Sequence, residues 1–210
     1  MKRGLTELVF ILDRSGSMSG LESDTIGGYN AMLEKQKKET GEAIITTVLF
    51  DDQYELLHDR VNIRRIQPIT KKEYFVRGTT ALLDAVGKTT SKIVNVQSQT
   101  PEDELTEYVM FVIITDGLEN ASREFNYEKI RQMIEYQKSK YGWEFIFLGA
   151  KIDAVATAAR FGISKDMSAN YHADSVGILL NYETISAALV IYAVATSCLR
   201  NGKNELKRTL

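Results

Sequence analysis

The feature that most constrains the fold is a set of four short and almost wholly apolar runs. They cover residues 8–12, 44–50, 109–114 and 145–148. Runs of this length, rich in β-branched and aromatic residues, are typical of strands that are buried on both faces. Strands of that kind form parallel sheets, because helices cover both faces of such a sheet. The runs therefore predict a mostly parallel sheet at the centre of the molecule.

Helical patterns occupy the segments between these runs. Apolar residues recur at helical spacing over residues 21–38, 81–97, 127–141 and 153–162. The alternation predicts a doubly wound, Rossmann-like α/β fold with helices on both faces. Residues 54–63 follow the second run too closely for a crossover helix, so we expect one antiparallel edge strand there. The length of 210 residues fits one domain, residues 1–210.

Composition argues against several classes of protein. The formal net charge is −2, without the basic excess of a nucleic-acid-binding protein. Cys198 is the one cysteine, so no disulfide forms within the chain, and we expect a cytoplasmic location. The amino-terminal apolar patch is too short for a signal peptide. Residues 184–199 are uncharged, but polar residues interrupt them before the roughly 20 apolar residues of a membrane span. We therefore favour a final buried helix over residues 175–200 and expect no membrane partner.

Oxygen-bearing side chains follow three of the predicted elements. Asp13, Ser15 and Ser17 come after the first strand, and Asp116 comes after the strand at residues 109–114. A threonine pair, Thr79 and Thr80, precedes the second helix. The carboxyl ends of parallel strands meet at one edge of the sheet, where ligands bind. Carboxylate and hydroxyl oxygens without histidine or thiol favour a hard divalent cation over zinc.

The spacing after the first strand admits two interpretations. Side chains at alternate positions can point the same way, so Asp13, Ser15 and Ser17 can converge while Arg14 faces away. Alternatively, the segment is a serine-rich turn that caps a helix, since Ser19 and Glu22 have capping-box spacing. The oxygens at the other two positions favour the convergent site.

Three motifs resemble those of the von Willebrand factor type A domain. They are "DRSGS" after an apolar strand, "GTTAL" before a helix and "ITDG" after a later strand, in the family's order over most of the chain. The resemblance implies a metal-ion-dependent adhesion site, whose ligands are Asp13, Ser15, Ser17, Thr80 and Asp116. Thr79 is the alternative to Thr80. The resemblance also implies Mg²⁺ or Mn²⁺ as the cofactor and an Asp or Glu of an unidentified partner protein as the bound group.

Four residues beside the motifs are expected to form the rim that selects a partner: Arg14, Met18, Glu119 and Asn120. The predicted function is metal-dependent protein binding, and the protein is not expected to be an enzyme. The alternative is a Mg²⁺-dependent phosphatase-like enzyme that transfers a phosphoryl group through Asp13, with Lys151 as its phosphate-binding lysine. Against it, Ser15 stands where such phosphatases have a second aspartate. The sequence leaves the oligomeric state open.

Overall fold

One six-stranded sheet organises the part of the protein that its computed structural model describes, which is residues 1–39, 41–150 and 152–171. The strand order is β3-β2-β1-β4-β5-β6, with β2 and β3 antiparallel and the other neighbours parallel. The strands are β1 Lys2–Asp13, β2 Glu42–Phe50, β3 Tyr54–Asn62, β4 Thr106–Thr115, β5 Glu144–Ala150 and β6 Ser168–Tyr171. The predicted mostly parallel sheet and its antiparallel edge strand are confirmed.

Helices cover both faces of this sheet. They are α1 Glu22–Gln36, α2 Leu82–Gln99, α3 Tyr127–Tyr141 and α4 Ala154–Arg160. Tyr29 and Leu33 of α1 pack on one face with Phe10 of β1, whereas α2, α3 and α4 pack on the other face. Successive residues of β1 enter opposite cores: Phe10 contacts the α1 side, and Ile11 contacts the α2 side. This burial on both faces explains why the strand is a continuous apolar run.

Two local predictions were wrong or incomplete. Strand β6 was missed, because Ser168–Tyr171 has no apolar run. It joins the sheet through parallel backbone pairing with β5. The capping box was also wrong: Leu21 is the N-cap of α1, and no side chain caps it. The carboxylate of Glu22 instead accepts a hydrogen bond from the Gly20 N–H, at 2.9 Å. Helix α1 therefore begins where the loop ends, without help from Ser19.

Several predicted features lie outside the described residues. They are the final helix over residues 175–200, its membrane-anchor alternative, Lys151 and Cys198. Within the described part of the chain, no helix is long and apolar enough to cross a membrane.

The connections from the two central strands define where a ligand can enter. The chain leaves β1 for α1 on one face, and it leaves β4 for α3 on the opposite face. Strands β1 and β4 are neighbours, so the loops at their carboxyl ends separate and leave a crevice between them. Asp13 is the last residue of β1, and Thr115 is the last residue of β4. The fold thus places the predicted site residues at the crevice.

Candidate metal site

Asp13 is fixed by donors from two different strand ends. Its Oδ1 accepts a hydrogen bond from the Ser15 N–H at 2.6 Å, and its Oδ2 accepts one from the Thr115 hydroxyl at 2.6 Å. The side chain is buried. The bond to Ser15 closes a turn directly after β1, and the bond to Thr115 ties that turn to β4. Asp13 is therefore held in one orientation between the two central strands.

Three hydroxyls form a short chain beside this carboxylate. The Oγ atoms of Ser15 and Ser17 are 2.9 Å apart, and Thr80 Oγ1 donates to Ser15 Oγ at 2.9 Å. Thr80 is buried, whereas Thr79 is exposed. The structure thus brings Thr80 to the two serines and leaves Thr79 outside.

Gly117 reveals where these oxygens point. A Cβ atom added to Gly117 would lie 2.7 Å from Thr80 Oγ1, 2.8 Å from Ser17 Oγ and 3.4 Å from Asp13 Oδ2. Three oxygens from two separate loops therefore lie around one small space beside the Gly117 backbone. Any larger residue at position 117 would fill this space with carbon, so glycine is needed for the oxygens to converge on a ligand atom.

The electrostatics of the site favour a cation. Burial raises the pKa of Asp13 to about 6, although hydrogen bonds from Thr115 and Ser15 oppose the shift, and the charge of Asp116 adds to it. Among the described residues, no lysine, arginine or histidine forms a salt bridge with the Asp13 carboxylate. Buried carboxylates in proteins are normally paired with a cation or coordinate a metal. The two neighbouring carboxylates, Asp13 and Asp116, are therefore suited to bind a cation.

The chemistry of the donors narrows the kind of cation. Within residues 1–39, 41–150 and 152–171, no three His, Cys, Asp or Glu side chains come together as a metal cluster. A metal at this edge therefore depends on hydroxyl oxygens in addition to Asp13 and Asp116. Such a donor set fits a hard ion that keeps part of its water shell, as Mg²⁺ does.

The loop after β4 braces the loop that carries Thr80. The Thr80 N–H donates to Asn120 Oδ1 at 2.9 Å, and the Asn120 N–H donates to the Thr80 carbonyl at 3.0 Å. Glu119 accepts from the Leu83 N–H at 2.8 Å and from the Ser122 hydroxyl at 2.7 Å. Glu119 and Asn120 were predicted as rim residues; Asn120 is exposed and Glu119 is half-buried, and these bonds show that both also brace the loops around Thr80.

The other two predicted rim residues are buried, so that prediction was wrong. Met18 lies in a single 3₁₀ turn, Gly16–Met18, and is 1% exposed. Arg14 is 0% exposed, and its Nε donates to Asp51 Oδ2 at 3.1 Å. Thr115 was noted at its strand exit but was not assigned to the site. Its position next to Asp116 was the available signal, since β4 ends there.

Comparisons with known proteins identify the fold. No family model and no curated protein sequence matches this chain. Solved structures do match. One is proximal thread matrix protein 1 from the mussel byssus with a zinc-occupied MIDAS motif, which has 13% sequence identity and a TM-score of 0.60. The match covers 87% of this chain and 45% of that chain, so this chain spans under half of the mussel protein.

Two further structures agree with this match. A von Willebrand factor type A structure from Catenulispora acidiphila has 12% identity and a TM-score of 0.60, over 87% of this chain and 42% of that one. The manganese-loaded Plasmodium vivax TRAP protein has 15% identity and a TM-score of 0.58, over 86% of this chain and 73% of that one. At such identities the likeness shows the fold alone. The fold of this chain is that of a von Willebrand factor type A domain.

Proposed function

We propose that this protein is a binding module that holds one Mg²⁺ or Mn²⁺ ion and through it grips an acidic side chain of a partner protein. The proposed metal ligands are Asp13, Ser15, Ser17, Thr80 and Asp116. When bound, the cation would supply an electrophilic centre for one further anionic oxygen. The zinc and manganese named for the mussel and Plasmodium structures support a divalent ion at such a site.

One observation carries the proposal: three oxygens, from the loop after β1 and the loop before α2, lie around a single small space beside Gly117. Asp13 supplies a buried negative charge there, and Asp116 adds a second charge close by. The hydroxyl groups would be neutral ligands, so the charge of a divalent ion would be balanced by the two carboxylates alone. A cation held in this way keeps affinity for a carboxylate from outside the chain.

The residues that the partner would meet are those exposed beside the ligands. Leu118 follows Gly117 and is 68% exposed, and Thr79 precedes Thr80 and is exposed. We assign these two residues to the rim in place of the buried Arg14 and Met18.

We also propose that the protein is not an enzyme. Both oxygens of Asp13 already accept hydrogen bonds, from Ser15 and Thr115, and the side chain is buried. This arrangement suits a fixed ligand better than a nucleophile that must approach a phosphorus atom. Incubation with a panel of phosphate esters and Mg²⁺ tests the alternative, because turnover that is lost in Asp13→Asn would establish a phosphatase.

The proposal also covers the cellular location and nucleic acid as a partner. The single cysteine supports a reducing compartment, so we place the protein in the cytoplasm, and the charge balance supports no role for nucleic acid. Fractionation of cells that produce the full chain tests the location, since recovery outside the cytoplasmic fraction would contradict it.

The proposed function is tested with Mn²⁺ and two matched peptides, Gly-Asp-Gly and Gly-Asn-Gly. Paramagnetic Mn²⁺ broadens the NMR signals of any peptide held close to it. We expect the protein with Mn²⁺ to broaden the Asp peptide more than the Asn peptide, and we expect Asp13→Asn to remove the difference. Equal broadening of both peptides, with the protein saturated by Mn²⁺, would contradict recognition of a carboxylate.

A further inference from the structure

A buried aspartate outside the proposed ligand set connects the loops that carry the ligands. Asp51 follows β2 and is 0% exposed. Its Oδ2 accepts from Arg14 Nε at 3.1 Å and from Arg77 Nε at 2.5 Å. Arg14 lies between Asp13 and Ser15, and Arg77 lies in the loop that leads to Thr80. One carboxylate therefore joins two loops that are far apart in sequence.

Backbone hydrogen bonds run along the same junction. The Asp51 carbonyl accepts from the Ala81 N–H at 2.8 Å, directly after Thr80. The Arg77 N–H donates to the Arg14 carbonyl at 2.9 Å, and the Gly16 N–H donates to the Gly78 carbonyl at 3.2 Å. The loop before α2 thus lies alongside the loop after β1. This contact sets the distance between the Thr80 hydroxyl and the two serines.

Gly78 allows this close approach. Its φ is +65°, a left-handed conformation that favours glycine, and an added Cβ would lie 2.1 Å from Asp52 Oδ1. The loop therefore turns tightly just before Thr80, against the β2–β3 connection that carries Asp51. A side chain at position 78 would be strained by this φ and would displace the Asp52 carboxylate.

Asp51 also controls the charge behind the site. Arg14 is completely buried next to Asp13, and Asp51 and Glu55 neutralise it, with Glu55 Oε2 2.8 Å from Arg14 Nη1. Glu55 is half-exposed, so water screens its contribution more than that of Asp51. Without the Asp51 carboxylate, the buried guanidinium would keep only the half-exposed Glu55 as its counter-charge among the described residues, beside a site that needs to attract a cation.

We propose that Asp51 is a positioning residue for the metal site: it holds the Thr80 loop against the Asp13 loop and cancels the charge of Arg14. This inference rests on the proposed function for its effect on metal binding, but the bracing itself is a property of the metal-free protein. Neighbours that orient metal ligands typically contribute about 10- to 100-fold to metal affinity.

Glu7 offers a matched control on the same sheet. It is also a fully buried carboxylate that is paired with an arginine, because Arg60 Nε donates to Glu7 Oε1 at 3.0 Å. Glu7 faces Gln97 at the end of α2 and is remote from the carboxyl edge of β1. Asp51→Asn and Glu7→Gln are the same acid-to-amide change in two buried ion pairs, and only one of the pairs adjoins the site.

The experiment has two readouts on the full chain. Hydrogen exchange of metal-free protein should be faster at the Gly16 and Ala81 amides in Asp51→Asn, with β-sheet amides unchanged, and Glu7→Gln should leave these two amides protected. Calorimetric titration with Mn²⁺ alone should show about 10- to 100-fold weaker binding in Asp51→Asn and unchanged binding in Glu7→Gln.

Each failure has its own meaning. If the two amides stay protected in Asp51→Asn, or if Mn²⁺ affinity stays equal to that of the wild type, the inference is overturned. If the wild type itself binds no Mn²⁺, the proposed function fails, and the exchange result alone decides the bracing role. Should Asp51→Asn fail to fold, Arg77→Gln serves instead, since it removes one of the two arginine contacts at a partly exposed position.

Discussion

Glu7 and Asp13 lie on the same strand, β1, and are almost equally buried, but different kinds of groups contact their carboxylates. Burial raises the pKa of both. The Glu7 carboxylate accepts a hydrogen bond from the Arg60 guanidinium at 3.0 Å and another from the Gln97 side-chain amide at 2.8 Å. Among the described residues, Asp13 accepts hydrogen bonds from the neutral donors Ser15 and Thr115 and from no cation, and the nearby charge of Asp116 raises its pKa further.

The two carboxylates obtain their counter-charge from different sources. The chain supplies a cation to Glu7 from β3, so this pair belongs to the stability of the fold. Among the described residues, the chain supplies no such cation to Asp13, and the oxygens around it face a shared space beside Gly117. We therefore propose that the counter-charge of Asp13 comes from a bound ion.

The largest expected effect comes from filling that shared space. Gly117→Ala would place a methyl group 2.7 Å from Thr80 Oγ1 and 2.8 Å from Ser17 Oγ. We expect Mn²⁺ binding to fall below detection in a calorimetric titration, because carbon takes the place of the ion. Gly117 does not have a positive φ, so alanine fits its backbone conformation.

Gly27→Ala provides the control for that substitution. Gly27 lies in α1, and nothing lies within 4 Å of an added Cβ. The same chemical change there should leave Mn²⁺ affinity unchanged and raise stability by up to about 1 kcal/mol. Normal Mn²⁺ binding by folded Gly117→Ala would show that the ion does not occupy the space beside position 117.

The two carboxylates should differ in stability when each is converted to its amide. Glu7→Gln should lower the free energy of unfolding by about 2 kcal/mol, because it leaves Arg60 without its anion in a largely buried setting. Asp13→Asn should leave the free energy of unfolding of the metal-free protein at pH 7 unchanged or higher, since no cation is left unpaired and a buried charge is removed. Urea denaturation in EDTA measures both. Equal losses in the two variants would contradict the contrast between the carboxylates.

Substitution of each of the two adjacent threonines tests which one is a metal ligand. Thr80→Ala removes the hydroxyl that donates to Ser15 Oγ and should weaken Mn²⁺ binding by about tenfold. Thr79→Ala changes an exposed side chain and should leave the affinity for Mn²⁺ unchanged. Titration of both variants checks the assignment, and the reverse pattern would move the ligand to Thr79.

The smallest expected effect is a dependence of stability on pH. Because burial raises the pKa of Asp13 to about 6, its charged form opposes folding. The contribution of this group to metal-free stability should therefore be greatest below pH 4 and should be lost as the pH rises from about 4 through 6. Asp13→Asn should remove about 1 kcal/mol of that loss between pH 5 and pH 7, as measured by urea denaturation. An identical pH profile in both proteins would contradict the raised pKa.

Much of the sheet could be predicted because its strands carry their own signal. Residues 8–12 of β1 are apolar at every position, and this follows from burial on both faces. Strand β6 carries no such signal: Ser168–Tyr171 includes a serine and an asparagine and pairs with β5 at the edge of the described sheet. A strand whose existence depends on its neighbour's backbone cannot be identified from its own residues.

The candidate site divides in the same way. Asp13, Ser15, Ser17, Thr80 and Asp116 could be proposed from spacing and resemblance because they follow or precede regular elements. The burial of Arg14 could not be predicted, since it depends on Asp51 and Arg77 from two other loops. Likewise, Asn120 contacts Thr80 only because the fold brings these two loops together. Contacts between loops that are distant in sequence could thus not be predicted from the sequence alone.

The most direct measurement is a calorimetric titration of Mg²⁺ into metal-free wild type and Asp13→Asn at pH 7. We expect saturable binding of one ion per chain in the wild type and no binding in Asp13→Asn, with both proteins folded by circular dichroism. Binding of equal affinity and stoichiometry in the two proteins would contradict this expectation, because the buried carboxylate at the end of β1 would then have no role in holding the ion.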